Sequence, residues 1–104
     1  MLIFVCVAFC LDPLPIEYIM PEISRFYGIV IFMNYNDHLP PHFHAKYQGY
    51  EVTVSIEDGE VTGSMSKRAL NLIYDWQEKN KDELLENWAL ARSHKILKTI
   101  NPLS

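Results

Sequence analysis

Three of the four histidines in the chain fall within residues 36–47, a stretch that reads N-D-H-L-P-P-H-F-H-A-K-Y. Imidazole titrates near neutral pH, so two histidines on one face of a strand can act as general base and general acid. His42 and His44 are therefore candidate catalytic residues, and in an extended strand they lie about 6.6 Å apart, a separation that could bracket a phosphate. A nearby cation, Lys46 or Arg25, would stabilise an anionic transition state. These features suit a histidine-dependent ribonuclease or another phosphoryl-transfer enzyme.

The same stretch also fits a metal site. Imidazole and carboxylate ligands suit divalent transition metals such as zinc, iron, nickel and copper. His42 and His44 can meet one ion from the same strand face, and His38 would join them by folding back across the two prolines. Asp37 is an additional carboxylate ligand. This second hypothesis makes the chain a histidine-based metal-binding protein.

A third interpretation gives the stretch a structural or interactive role. The residues that would pair with the histidines or contact a bound ligand are Asp37, His38, Thr53 and Ser55. Apolar side chains over residues 29–33 occupy both faces of their strand and would leave an uncovered patch in a monomer. A homodimer or a small cognate partner protein would bury that patch. We favour this interpretation from the sequence, and the other two stay open.

Strict alternation of polar and apolar residues over 42–47 predicts a strand. Its polar face carries His42, His44 and Lys46. Gln48 and Gly49 can form a two-residue turn that returns the chain as a strand over residues 50–55. In this register polar side chains face polar ones and apolar side chains face apolar ones at every position, which a slip of one residue would destroy.

Two further strands are expected beside this hairpin. Residues 26–35 form a continuous run rich in β-branched and aromatic side chains, which predicts one strand buried on both faces. An Asp-Gly pair at residues 58–59 predicts a second hairpin, with its returning strand over residues 60–64. That turn sets Ile56 opposite Val61.

The remainder of the chain predicts two helices. Ser64 or Ser66 can cap the first helix, which runs to about Lys79, and Asp82 can cap the second. Their apolar stripes consist of Ala69, Leu70, Ile73, Trp76 and Gln77 in the first helix, and of Leu84, Leu85, Trp88 and Ala91 in the second. These stripes need an apolar surface, and the meander offers one. We therefore expect an α+β fold, a small antiparallel β-meander of about four strands packed on one face by two C-terminal α-helices, with the histidine face open.

Composition narrows the function classes. The formal net charge is -4, so a contact with RNA would need a local basic patch. Cys6 and Cys10 are the only cysteines, which excludes a disulfide framework after residue 11 and suits a reducing cytoplasm. The apolar run over residues 2–11 is shorter than the about 20 residues that span a bilayer, and we expect no membrane association. We expect residues 1–19 to be an extension that precedes a single domain over residues 20–104.

Four segments together resemble one protein family. They are M-P-E-I-S-R-F-Y-G-I at residues 20–29, Y-N-D-H-L-P-P-H-F-H-A at 35–45, K-R-A at 67–69 and E-L-L-E-N-W at 83–88. The chain is similar to the bacterial domain of unknown function 4160. The resemblance implies a small prokaryotic protein, encoded beside another small protein and belonging to a toxin–antitoxin-like or regulatory two-gene module. It implies no particular reaction and no catalytic residues.

Overall fold

A computed structural model describes residues 21–35 and 37–104 of the chain. Within them, an antiparallel sheet has the strand order β1-β2-β3-β4-β5. The elements are β1 Glu22–Phe26, β2 Ile29–Phe32, β3 His42–Tyr47, β4 Tyr50–Ser55, β5 Val61–Gly63, α1 Lys67–Lys79 and α2 Lys81–Arg92. The α+β class and the two C-terminal helices are confirmed, and the meander has five strands rather than about four. No helix in these residues is long and apolar enough to cross a membrane.

The additional strand arises because the apolar run over residues 26–35 contains a turn. Tyr27 and Gly28 have φ angles of 49° and 82°, and Phe26 pairs with Ile29. Two successive positive φ angles are characteristic of the tight hairpin turn that matches the twist of antiparallel strands. The prediction of one continuous strand was therefore wrong. Because apolar residues continue through the turn, Gly28 is the main residue in the sequence that indicates it.

The central hairpin is confirmed at every position. The observed pairs are His42 with Ser55, Phe43 with Val54, His44 with Thr53, Ala45 with Val52, Lys46 with Glu51, and Tyr47 with Tyr50. Gln48 and Gly49 form the turn, with φ angles of 49° and 84°. Phe43 and Ala45 are completely buried on the apolar face. Consequently the polar side chains of β3 lie on the opposite face, as the alternation predicts.

The second hairpin differs from its prediction by two residues. Val61 pairs with Val54 rather than with Ile56, so residues 56–60 form a longer loop. The backbone N–H of Gly59 closes this loop by donating to the carbonyl of Ser55 at 2.9 Å. A shift of two residues keeps each side chain on its expected face, because the side-chain period of a strand is two.

Helix α1 begins at one of the two serines predicted as its cap. The side-chain oxygen of Ser66 accepts a hydrogen bond from the backbone N–H of Ala69 at 3.2 Å, so Ser66 rather than Ser64 is the cap. Its buried residues are Ala69, Ile73, Trp76 and Gln77. The ring of Trp76 lies 5.7 Å from that of Phe43. Helix α1 therefore covers the apolar face of the sheet.

The cap of helix α2 lies two residues before the predicted one. Its first flanking residue is Asn80, and Asp82 lies inside the first turn, where a carboxylate is favoured by the helix dipole. The buried residues are Leu84, Asn87, Trp88 and Ala91, and Leu85 is half-buried. The chain then returns to β1, where the N–H of Ile100 donates to the carbonyl of Ile23 at 2.8 Å.

The histidine face is less open than expected. His42 is only 5% exposed, and its ring lies 5.1 Å from that of Trp88 on α2. The register of β3 is nevertheless the predicted one. Helix α2 therefore reaches the end of the sheet where β3 begins, and the expectation that both helices leave this face uncovered was wrong at that end.

The apolar patch expected on β2 is also covered within the chain. Ile29, Ile31, Phe32 and Met33 are all buried. On the histidine face, the ring of His44 stacks on Phe32 at 5.0 Å, and the ammonium of Lys46 lies 5.1 Å from the centre of the same ring. These β2 side chains therefore do not form an uncovered patch that a partner would bury.

Candidate functional site

One carboxylate and two imidazoles meet where the loop between β2 and β3 returns to the sheet. Asp37 Oδ2 lies 2.8 Å from His42 Nε2 and 3.1 Å from His44 Nε2. One ligand atom from each of the three residues lies within 4.8 Å of the other two. Their side chains are between 6% and 17% exposed, so the cluster is mostly shielded from water.

The strand and the loop position these groups by different means. Alternation along β3 puts His42 and His44 on one face, while the buried Phe43 anchors the strand between them. Asp37 comes from the loop, where its Oδ1 accepts a hydrogen bond from the backbone N–H of His38 at 3.0 Å. The other carboxylate oxygen is thereby directed to the two imidazoles.

Both ring nitrogens of His42 face oxygen atoms. Its Nδ1 lies 2.8 Å from the carbonyl of Pro40, which can only accept, so Nδ1 carries a proton and donates it. A lone pair on Nε2 would then oppose the carboxylate oxygen of Asp37 at 2.8 Å. Either a second proton on the imidazole or a cation shared by the two groups removes this conflict. The hydrogen bond from Nδ1 to a backbone carbonyl is also the usual orientation of a metal-binding histidine.

His44 has more freedom in where its proton lies. Its Nδ1 is 3.3 Å from the hydroxyl of Thr53, which can donate or accept, and 3.7 Å from a carboxylate oxygen of Glu51. Its Nε2 faces Asp37 and also lies 3.3 Å from the side-chain nitrogen of Asn34. Thr53 can therefore hold His44 in the tautomer that leaves Nε2 free for a ligand.

Opposing influences set the charge of the Asp37 carboxyl. Partial burial favours the neutral acid, but hydrogen bonds from His44 and His42 and from the backbone N–H of His38 favour the carboxylate. The hydrogen bonds together outweigh burial and lower the pKa of Asp37 below its ordinary value. Asp37 is therefore an anion at neutral pH, which is the state that binds a cation.

Several predicted site residues lie outside this cluster. His38 is exposed, its Nδ1 lies 3.2 Å from the carbonyl of Leu39, and its ring is 5.3 Å from that of His42. Lys46 rests on Phe32, and Arg25 forms an ion pair with Glu22 at 2.8 Å. Of the predicted ligand set, the structure thus brings together the two strand histidines and Asp37, while His38 lies at the rim.

The two predicted hydroxyl partners behave differently. Thr53 contacts His44, as described above. Ser55 lies opposite His42 in the sheet, but its side chain hydrogen-bonds the carboxylate of Asp58, and no bond to His42 occurs among the described residues. Only Thr53 therefore belongs to the cluster.

Asn34 and Trp88 contact the cluster and were absent from the predicted site. Asn34 lies two residues after the end of β2, and nothing in the sequence distinguishes it from other loop asparagines. Trp88 was assigned to the helix core, which is correct, but the same indole packs on His42. A helix stripe predicts burial without specifying which part of the sheet the helix meets.

Comparison with known proteins gives one match. A family model described as "Domain of unknown function (DUF4160)" matches residues 28–89, which is more than half of the chain and includes the whole cluster. No curated protein matches. No solved structure matches.

Proposed function

Because the chain belongs to the family named Domain of unknown function (DUF4160), whose description assigns no reaction, we propose a function from its own side chains. The chain binds a divalent transition-metal ion through Asp37, His42 and His44. The observation that carries this proposal is the convergence of the three ligand atoms to within 4.8 Å of one another. Imidazole nitrogens and a carboxylate oxygen are ligands that such ions prefer.

The distances support a nearly formed coordination site. Zinc and similar ions hold these ligands at about 2.0–2.2 Å, so neighbouring ligand atoms are about 3.0 Å apart at right angles and about 3.4 Å apart in a tetrahedron. The carboxylate oxygen of Asp37 lies 2.8 Å and 3.1 Å from the two imidazole nitrogens. The Asp37 oxygen therefore lies at ligand spacing from both imidazole nitrogens, and these two nitrogens lie within 4.8 Å of each other.

The number of ligands favours a reactive site over a structural one. Structural zinc sites in proteins are closed by four protein ligands, whereas catalytic sites use three and leave a position for water or substrate. Two histidines and one carboxylate are also the ligand set of non-haem iron(II) centres with open positions. The main core lies on the other face of the sheet, around Phe43 and Trp76, so the fold has an apolar core independent of the ion.

The metal-free ribonuclease hypothesis has less support. A general base needs a lone pair that can reach a substrate, but both nitrogens of His42 already face Pro40 and Asp37. The ammonium of Lys46 rests on Phe32. The observed contacts therefore suit ligand positioning better than proton transfer to a phosphate ester.

A role in a two-gene module, with a cognate protein or a second copy as partner, stays a prediction. So do RNA contact and a cytoplasmic location. The buried state of β2 removes the earlier argument for an interface there. Exposed aromatic side chains occur instead at the hairpin turns, where Tyr27 and Tyr50 are each more than half exposed.

Metal titration of the purified protein tests the proposal. Isothermal titration with Zn²⁺, Fe²⁺ or Co²⁺ should give one ion per chain for the wild type. His42→Ala, His44→Ala and Asp37→Ala should each weaken binding by more than about 100-fold, since they remove a ligand rather than an outer contact. The matched control is His94→Ala, which deletes an exposed imidazole that stacks on Tyr35. A wild type that binds no ion, or a control that loses binding equally, would refute the proposal.

A further inference from the structure

We infer that Asn34 is a fourth protein ligand of this site, through the oxygen of its side-chain amide. The inference rests on the proposed function, since it needs an ion between Asp37, His42 and His44. Asn34 lies two residues after the end of β2, and its side chain reaches His44 on the neighbouring strand β3. The ligand set then contains two imidazoles, one carboxylate and one neutral amide oxygen.

An unsatisfied polar atom is the first observation behind this inference. The side-chain oxygen of Asn34 is buried and has no hydrogen-bond partner among the described residues. Leaving a buried acceptor unpaired costs about 1–3 kcal/mol, so proteins rarely retain such an atom without a use. The nitrogen of the same amide lies 3.3 Å from His44 Nε2, so rotation of the amide would bring this unpaired oxygen next to the cluster.

Position is the second observation. The amide nitrogen of Asn34 lies 3.3 Å from His44 Nε2, within the range that separates neighbouring ligands of one ion. Amide oxygen and nitrogen have nearly the same shape, and their assignment follows from their hydrogen bonds. A half-turn of the amide about its terminal torsion therefore places the oxygen where the nitrogen now lies, at ligand spacing from His44.

Whether an ion is bound determines which atom of the Asn34 amide faces His44. In the observed orientation the amide nitrogen lies 3.3 Å from His44 Nε2, the atom whose lone pair would bind an ion. When that lone pair binds an ion, the nitrogen would face a positive charge and the oxygen becomes the favoured neighbour. Each orientation gives the amide one contact, and coordination replaces the contact of the nitrogen with His44 by a contact of the oxygen with the ion.

The ligand set indicates which ions the site prefers. Imidazole nitrogen, carboxylate oxygen and amide oxygen suit borderline and hard metal ions. The set contains no sulfur ligand, which disfavours copper(I). With four protein ligands a tetrahedral zinc ion would be closed, whereas a six-coordinate ion keeps two positions for water or substrate. We therefore expect Fe²⁺, Mn²⁺ or Co²⁺ to bind with exchangeable water on the ion.

Two variants with opposite expected effects test the assignment. Asn34→Leu keeps the size but removes the oxygen, and should weaken Co²⁺ binding by at least about 10-fold. Asn34→Asp places a charged oxygen at the same position, and should strengthen binding and change the visible absorption of bound Co²⁺. Asn71→Asp on the exposed side of α1 is the matched control for added charge and should change neither.

A measurement on the wild type covers the case in which Asn34→Leu fails to fold. The side-chain amide resonances of Asn34 should shift on addition of one equivalent of Zn²⁺, while those of Asn71 should stay in place. Unchanged Asn34 resonances on a wild type that binds the ion, or unaltered affinity in Asn34→Leu, would overturn the inference alone. A wild type that binds no ion overturns both this inference and the proposed function.

Discussion

A single carboxylate oxygen of Asp37 faces two imidazoles, and this contact governs the chemistry of the site at the scale of residues. Asp37 is held by the backbone N–H of His38, whose own side chain lies at the rim of the cluster. The Nδ1 of His42 donates a hydrogen bond to the carbonyl of Pro40. Each ligand thus has a second contact that fixes its orientation, which is what a preorganised metal site requires.

Asp58 provides a pH-dependent test of a single residue. The backbone N–H of Glu60 is the main cause of the lowered pKa of Asp58, and the Ser55 hydroxyl adds to it. A lowered pKa in the folded state stabilises the fold above the ordinary aspartate pKa of about 3.9, and this stabilisation is lost as the pH falls through the folded value. Urea unfolding should therefore show a stability gap between wild type and Asp58→Ala at pH 6 that shrinks below about pH 3.

Asp75→Ala is the control for that experiment, because it removes an exposed carboxylate of α1 that makes no hydrogen bond among the described residues. At pH 6 the free energy of unfolding of Asp75→Ala should differ little from that of the wild type. An Asp58→Ala gap that stays constant down to pH 2 would contradict the assigned role of the carboxylate.

At the scale of elements, the two hairpins that share β4 have very different turns. The turn between β3 and β4 is the minimal two-residue kind, and it sets the register of both strands. The loop between β4 and β5 is longer, and β5 pairs through only three residues. We therefore expect β5 to be the part of the sheet that opens most readily.

Two glycine substitutions separate steric contact from backbone strain. Gly63 has a φ of 110°, and a Cβ added there would lie 2.8 Å from the backbone oxygen of Glu51. Gly49 has a φ of 84° and open space around it. Gly63→Ala should therefore lower the free energy of unfolding by more than Gly49→Ala, which carries only the conformational cost of about 1 kcal/mol.

Urea unfolding measures the two free energies, and hydrogen exchange locates the damage. Gly63→Ala should speed amide exchange in β4 and β5 while leaving β1 and β2 nearly unchanged. Equal destabilisation by the two substitutions would show that the contact with Glu51 has no energetic role.

At the scale of the whole molecule, the site lies where three parts of the fold meet. Strand β3 supplies the histidines, the preceding loop supplies Asp37, and α2 covers His42 with Trp88. An ion bound there would connect the loop to the sheet. Because the unfolded chain has no preformed site, ion binding and folding should be thermodynamically coupled.

This coupling predicts a measurable increase in thermal stability. An ion at 100 times its dissociation constant should stabilise the folded state by about 2.7 kcal/mol. The melting temperature should therefore rise by several degrees on addition of a fitting ion, and return on addition of a chelator. The His44→Ala variant should show no rise, and an equal rise in that variant would place the ion elsewhere.

Much of the fold was accessible from local patterns. Alternation with a period of two and the turn at Gln48 and Gly49 predicted the whole register of the central hairpin, because both signals act between neighbouring residues. The helix stripes were identified for the same reason, and so was Ser66 as one of two candidate caps. The turn at Tyr27 and Gly28 was missed because its apolar neighbours mask it.

The sequence by itself determined that His42 and His44 share one face of a strand, since the side-chain period of a strand permits nothing else. Only the tertiary structure decided that Asp37, rather than His38, completes the cluster. It also decided that Trp88 covers His42 and that Asn34 stands beside His44. These contacts join segments whose relative positions depend on loop closure and helix packing. Such long-range packing has no signature in the spacing of neighbouring residues.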